Sequence, residues 1–333
     1  MKARVSVIGA GGWGTALAVI IANNGYNVNL WSRDADFARI LQQERKNNQY
    51  LPGVSIPASV VITNRFADVA DAETILFATP STALRTISEA LASSVTQSTS
   101  STIVSAVKGL EQGTGFRMSE ILSSNFPGCP VAVISGPNHA NEVAQSVPTA
   151  SVIGSPTEEV GKQLQTLLST RTFRTYTSSD IVGIEVGGAL KNIFAIAAGI
   201  GDGLGLGDNS KAALITRSLA ELIRLGSALG GRRETFQGLS GVGDLVVTCF
   251  GRHSRNRGVG ERLGRGESLD QIQHSMRMVA EGVPTTKSAK ECARKLGIKT
   301  PIIDEVHSIL YENATPLTAI ERLLSRELRP EED

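Results

Sequence analysis

The stretch VSVIGAGGWGTALAVII, Val5 to Ile21, joins a short apolar strand to an apolar helical run through a glycine turn. Gly9, Gly11 and Gly14 stand there in GxGxxG spacing. The first glycine permits the tight turn, the second lets backbone approach a pyrophosphate, and the third lets the helix pack closely on the strand. A strand before the motif and a helix after it are the context that dinucleotide binding requires. A glycine-rich turn without a ligand is the plainer alternative.

Outward from that loop, β-branched or apolar runs recur at Val28 to Trp31, Thr74 to Ala78, Ile103 to Val107, Val131 to Ile134, Ala150 to Ile153 and Phe173 to Thr177. Longer helical patterns separate them, the rhythm of a mostly parallel sheet covered by helices. Ser178, Ser179 and Asp180 read as a turn and helix cap. From Ile181 onward, Ala, Leu, Gly and charged residues recur at helical spacing. The expectation is a Rossmann-type α/β domain over 1–178 followed by an all-α substrate domain over 179–333. The active site then falls in the cleft between them. The tail from Arg329 to Asp333 is expected to fray.

A chain of 333 residues with net charge +1 has room for two domains and carries no overall field for nucleic acid or anionic lipid. Cys129, Cys249 and Cys292 are odd in number and far apart, which argues against disulfides or a zinc site and fits a reducing cytoplasm. Nor do His139, His253, His274 and His307 show metal-ligand spacing, so no metal is expected. Cys249 reads as a buried, inert thiol. The opening MKARVSVIGAGG is too short in its apolar run for a signal peptide, and no other run is expected to span a membrane.

Arg33 ends the second strand, where an NAD-selective protein usually presents an acid to the ribose. A guanidinium there can pair with a 2′-phosphate, so both NADPH and NADH are expected cofactors, with Asp34 next door as a ribose partner. A solvated surface arginine is the alternative.

Several separated segments resemble the bacterial NAD(P)-dependent glycerol-3-phosphate dehydrogenases: GAGGWGTALA at 9–18, AVKGLE at 106–111, SGPNHANEVA at 135–144, EVGGALKNIFAIAAGIGDGLGLGDN at 185–209, AALITRSLAE at 212–221 and GLSGVGDLVVTCFGRHSRNRGVG at 238–260. The resemblance implies reduction of dihydroxyacetone phosphate to sn-glycerol 3-phosphate, a supply for glycerophospholipid synthesis, and a homodimer. It makes Lys191 the proton donor, with Lys108, Asp244 and Thr248 beside it. Chemically, a lysine ammonium next to a ketone oxygen can stabilise charge and then give up its proton. A second cation at Lys108 would depress the Lys191 pKa. Gly187 and Gly188, four and three residues earlier on the same helix, leave a gap for a substrate or another helix.

The resemblance also places the cofactor against Gly9, Gly11, Gly12, Trp13, Gly14, Arg33, Lys108, Ala140, Arg255, Val279 and Glu281. Substrate falls to Lys108, Gly136, Asn138, Lys191, Asn192, Asp244, Ser254, Arg255 and Asn256. Ser254 also reads as the cap of a helix from Arg255 to Leu263 that ends at Gly264, a start suited to a phosphate. The chain departs from the family's pattern at Gly12 and Asn138, where serines are usual, and over Phe250 to His253. Relatives acting on 3-hydroxy acids or phosphogluconate, and a nucleotide-binding redox sensor without turnover, are the competing readings; they lack the GDLVVTC…SRN segment or a proton donor with a phosphate clamp.

Overall fold

The computed structural model describes residues 4–94, 101–276, 278–328 and 330–331. Of the tail expected to fray, Arg329, Glu332 and Asp333 lie outside these described residues. Among the described residues ten strands form: β1 Arg4–Ile8, β2 Asn27–Trp31, β3 Lys46–Asn47, β4 Leu51–Ser55, β5 Val60–Thr63, β6 Thr74–Phe77, β7 Thr102–Ser105, β8 Val131–Ser135, β9 Thr149–Gly154 and β10 Phe173–Ser178. Helices α1 Gly12–Asn23, α2 Ala35–Glu44, α3 Leu84–Ala92, α4 Met118–Asn125, α5 Ala140–Ala144 and α6 Glu158–Leu168 lie between them. Then follow α7 Ile181–Gly203, α8 Asp208–Ala228, α9 Asp244–Phe250, α10 Arg255–Gly264, α11 Leu269–Ser275, α12 Gly282–Leu296, α13 Pro301–Tyr311 and α14 Pro316–Leu324.

Eight strands make one sheet in the order β10-β9-β8-β7-β6-β1-β2-β5. Every pairing in it is parallel except β8 with β9, so β9 and β10 run against the rest. That reversal is a refinement: the short connection through α5 returns the chain beside β8 without a full crossover helix. Val5, Val7 and Ile8 of β1 and Ile75, Leu76 and Phe77 of β6 are buried whichever way they point, as a strand covered on both faces requires. Chain order reverses between β1 and β6, the switch point outside which ligands bind. Strand β5 and the two-stranded β3–β4 hairpin are additions to the sequence reading; both are short and lie outside the sheet's centre.

After β10, Asp180 caps α7 by accepting from the Gly183 N–H at 2.9 Å, and also accepts from the Arg232 N–H and the Thr235 hydroxyl. Helix α7 is the axis of the helical half, with Leu190, Ile193, Phe194 and Ile196 wholly buried. Contrary to the sequence reading, its 23 residues are long and apolar enough to cross a membrane, at mean hydropathy 1.6. Its apolar window is 83% buried within the fold, so the hydrophobicity belongs to a core helix.

Glycines set how closely α10 approaches α7. A Cβ at Gly260 would run into the Ile196 carbonyl, one at Gly199 into the Arg257 carbonyl, and one at Gly264 would stand 2.5 Å from the Ile200 carbonyl. Backbone therefore meets backbone, which brings the start of α10 beside the middle of α7.

The two halves are also joined by a buried carboxylate. Glu185 of α7 accepts from the Ser119 N–H at 2.8 Å, the Ser119 hydroxyl at 2.6 Å and Arg117 at 3.1 Å, all at the start of α4. Glu185→Ala strands these donors and should lower the unfolding free energy by about 3 kcal/mol in urea titration. Glu185→Gln, which keeps an acceptor, should lose less than half of that; a loss under about 1 kcal/mol in the alanine variant would remove this carboxylate from the interface energetics.

Candidate active site

At the carboxyl edge of β1 the glycine turn is built as its spacing demands. Gly9 has φ +117°, and a Cβ there would stand 2.8 Å from the Ala78 carbonyl at the end of β6. A Cβ at Gly14 would collide with the Gly9 carbonyl, so the helix sits directly on the turn. At Gly11 a Cβ would meet nothing within 4 Å. That open side is the room a pyrophosphate needs beside the unsatisfied N–H groups of the first turn of α1.

The β3–β4 hairpin closes over this turn. Asn47 donates to the Ala10 carbonyl at 3.0 Å and the Thr15 hydroxyl at 2.8 Å, and accepts from the Tyr50 N–H. Its hold brings the Tyr50 carbonyl to 2.6 Å from where a Cβ on Gly12 would be. Trp13 is partly buried and packs edge-on against Phe173 at the edge of the core. Ala140, first in α5, stands across from Gly12. Arg33 is exposed, with no hydrogen bond among the described residues, whereas Asp34 spends a carboxylate oxygen on the Phe37 N–H as the cap of α2. The cap weakens the expectation that Asp34 serves a ribose.

Between the end of β7 and the helices α7 and α9, one carboxylate holds two lysines. Lys191, 5% exposed, donates to Asp244 Oδ1 and, at 2.7 Å, to Thr248 Oγ1. Lys108, following β7, donates to Asp244 Oδ2 at 2.7 Å, Asn138 Oδ1 at 2.8 Å and the Gly136 carbonyl at 2.9 Å. Asp244 does not lie in an open loop as its glycine neighbours suggest; it opens α9 directly after a π-type turn over Leu239–Gly243. Thr248, one turn on, donates back to the Asp244 carbonyl. Gly187 and Gly188 do leave a gap, but protein fills it: a Cβ at 187 would stand 2.7 Å from the Ser240 carbonyl and one at 188 would strike the Ser135 hydroxyl.

Burial drives the Lys191 ammonium down to about 7; Asp244 opposes that shift and Lys108 adds to it. The direction matches the sequence reading, but burial outranks Lys108 as its cause. Burial alone would raise Asp244, yet the two ammoniums outweigh it and hold the carboxyl below its usual range. The Cys249 thiol, pushed up to about 12 by burial, is inert.

The α10 start is partly committed already. Ser254 caps the helix by accepting from the Arg257 N–H, and Arg255 donates to the Val279 carbonyl at 2.9 Å. Asn256 donates to Asn192 Oδ1 and accepts from the Gly282 N–H, tying α10 to α7 and α12. Glu281, just before α12, accepts from the Ser81 N–H at 3.1 Å and from its hydroxyl, across the domain boundary. Ser81, Asn47 and Tyr50 contact the predicted site residues and have no place in the sequence reading. Ser81 had a signal, since it follows β6 on the edge where the glycine turn opens; the hairpin pair had none. Among the described residues no cluster of His, Cys, Asp and Glu is arranged to hold a metal.

Residues 4–161 match the family described as NAD-dependent glycerol-3-phosphate dehydrogenase N-terminus, and residues 180–321 match its C-terminus. The chain is 48% identical to the glycerol-3-phosphate dehydrogenase [NAD(P)+] of Chlorobium luteolum, over 99% of this chain and 100% of that one. Its counterpart in Prosthecochloris aestuarii is 47% identical over 98% and 99%. The crystal structure of glycerol-3-phosphate dehydrogenase from Coxiella burnetii superposes with a TM-score of 0.94 at 39% identity, covering 98% of this chain and 99% of that one.

The Gly12 geometry makes a direct prediction. Gly12→Ser places a Cβ against the Tyr50 carbonyl, so the hairpin must shift, at a cost of about 1–3 kcal/mol. Thermal unfolding should show that loss together with weaker NADPH binding, and an unchanged midpoint and affinity would contradict the roofed turn.

Proposed function

Because the chain belongs to the NAD-dependent glycerol-3-phosphate dehydrogenase family, an NAD(P)-dependent oxidoreductase group acting on CH–OH, we propose that its cleft reduces dihydroxyacetone phosphate with Lys191 as general acid. The observation that carries this reading is the Lys191 ammonium, buried at the domain boundary and aimed by Asp244 and Thr248.

A nicotinamide cofactor fits the residues present: the open side at Gly11, the first-turn N–H groups of α1, Arg33 for a 2′-phosphate, and Ala140, Val279, Glu281 and Arg255 along the cleft. When bound, it supplies a hydride to the carbonyl carbon. Lys191 supplies the other half of the reduction by placing its positive charge on the ketone oxygen and then releasing a proton to it. Its lowered pKa suits both directions of the reaction, since ammonium and amine are both accessible near neutral pH. Asp244 fixes the ammonium's position and offsets the repulsion of Lys108, and Lys108 in turn meets the substrate's oxygen-rich end. Ser254, Arg255 and the first N–H groups of α10 take the phosphate. In this reading the enzyme is a cytoplasmic homodimer without membrane insertion, and its product feeds glycerophospholipid synthesis.

Lys191→Ala should cut NADPH oxidation with dihydroxyacetone phosphate by about a thousandfold while NADPH still binds, as followed by absorbance and by cofactor fluorescence. Retained turnover would sink the general-acid assignment. The sign of the pH effect follows from the proton's direction. Reduction needs the ammonium, so kcat/KM for ketone reduction should fall as pH rises through about 7, while oxidation of glycerol 3-phosphate should rise through the same range. Parallel profiles in the two directions would contradict Lys191 as the titrating group.

A further inference from the structure

We propose that His139 is a substrate-phosphate contact, its imidazole donating a hydrogen bond to the phosphate of the bound ketone; this rests on dihydroxyacetone phosphate being the substrate. His139 ends the loop whose Gly136 carbonyl and Asn138 side chain accept from Lys108. Its Nε2 is buried and has no hydrogen-bond partner among the described residues, as is also true of the Ser135 hydroxyl where the loop begins. The same nitrogen lies 3.1 Å from where a Cβ on Gly251 would stand. Gly251 starts the segment that enters α10 through Ser254. The ring therefore links the loop that holds Lys108 to the segment that leads into α10.

The surroundings select the ligand's charge. Lys191 of α7 and Lys108 after β7 face the ring, with Asp244 of α9 and Glu142 of α5 opposing them, and burial together with the lysines keeps the imidazole neutral. A cationic ligand would add to that repulsion, and an apolar one would leave the buried nitrogen unpaired. A phosphate dianion relieves both problems, because its oxygens accept hydrogen bonds and its charge opposes the ammoniums.

The test compares wild type, His139→Phe and His139→Gln for kcat and KM with dihydroxyacetone phosphate, for competitive inhibition by inorganic phosphate, and for NADPH affinity. His139→Phe should raise both KM and the phosphate inhibition constant about tenfold, with kcat falling less than threefold and NADPH affinity unchanged. His139→Gln, which keeps a donor, should recover most of the loss. Unchanged KM and inhibition constant overturn the proposal. So does an NADPH affinity that weakens in step with KM, which would assign the ring to the cofactor. If His139→Phe does not fold, the wild-type imidazole NMR signals decide: they should move when inorganic phosphate is added to the NADPH complex, and still signals overturn the contact. Wild type that leaves NADPH unconsumed with dihydroxyacetone phosphate would refute the substrate reading, while the phosphate arm still reports on His139 by itself.

Discussion

A single carboxylate, Asp244, stands buried between the ammoniums of Lys108 and Lys191, and the rest of the architecture serves to make that arrangement tolerable. Asp244 and Lys191 are buried and Lys108 is partly so, and charges taken out of water cost several kcal/mol each unless their remaining protons and lone pairs are satisfied. Lys108 is satisfied by the Gly136 carbonyl and Asn138, and Lys191 by Thr248. Those partners come from the edge of β8 and from α9, so the cluster forms only when both halves of the chain are folded and docked. Burial that cannot be fully repaid is what leaves Lys191 with a lowered pKa.

Close backbone approach is the second requirement. Glycines at 187 and 188 let the π-type turn and Ser135 reach α7, which sets Asp244 one helix start away from Lys191. Glycines on α7 and α10 let those helices touch, which sets Ser254 and Asn256 beside Asn192. The same small residues that weaken helix propensity thus shape the cleft. The Glu185 contacts with the start of α4 and the Ser81–Glu281 contact tie the two halves together.

Much of the sheet was legible because strands buried on both faces read as continuous apolar runs, and because the glycine spacing has a steric cause at Gly9 and Gly14. Lys191 was visible as a lysine on an apolar helix below two glycines. The direction of its pKa shift was also visible, but its main cause was misplaced: composition shows a second lysine, whereas the depth of burial exists only after packing. Asp34 looked free for a ribose because its capping bond to Phe37 depends on where α2 begins. Length and hydropathy alone would admit α7 as a membrane-length segment, and only its burial inside the helical half assigns it to the core.

By itself, then, the amino-acid order determined what local sterics and periodicity control: a glycine turn from Gly9 to Gly14 between β1 and α1, the alternation of strands and helices, and a second, helical half beginning after Asp180. Tertiary structure decided what depends on residues far apart in the chain. It turned β9 and β10 against the sheet, closed the Tyr50 hairpin over Gly12, and set the His139 ring against Gly251. Above all it joined Lys108, Lys191 and Asp244, separated by 83 and 53 residues, into one buried cluster. Charge interactions of that kind arise from distance and desolvation, which no local pattern encodes.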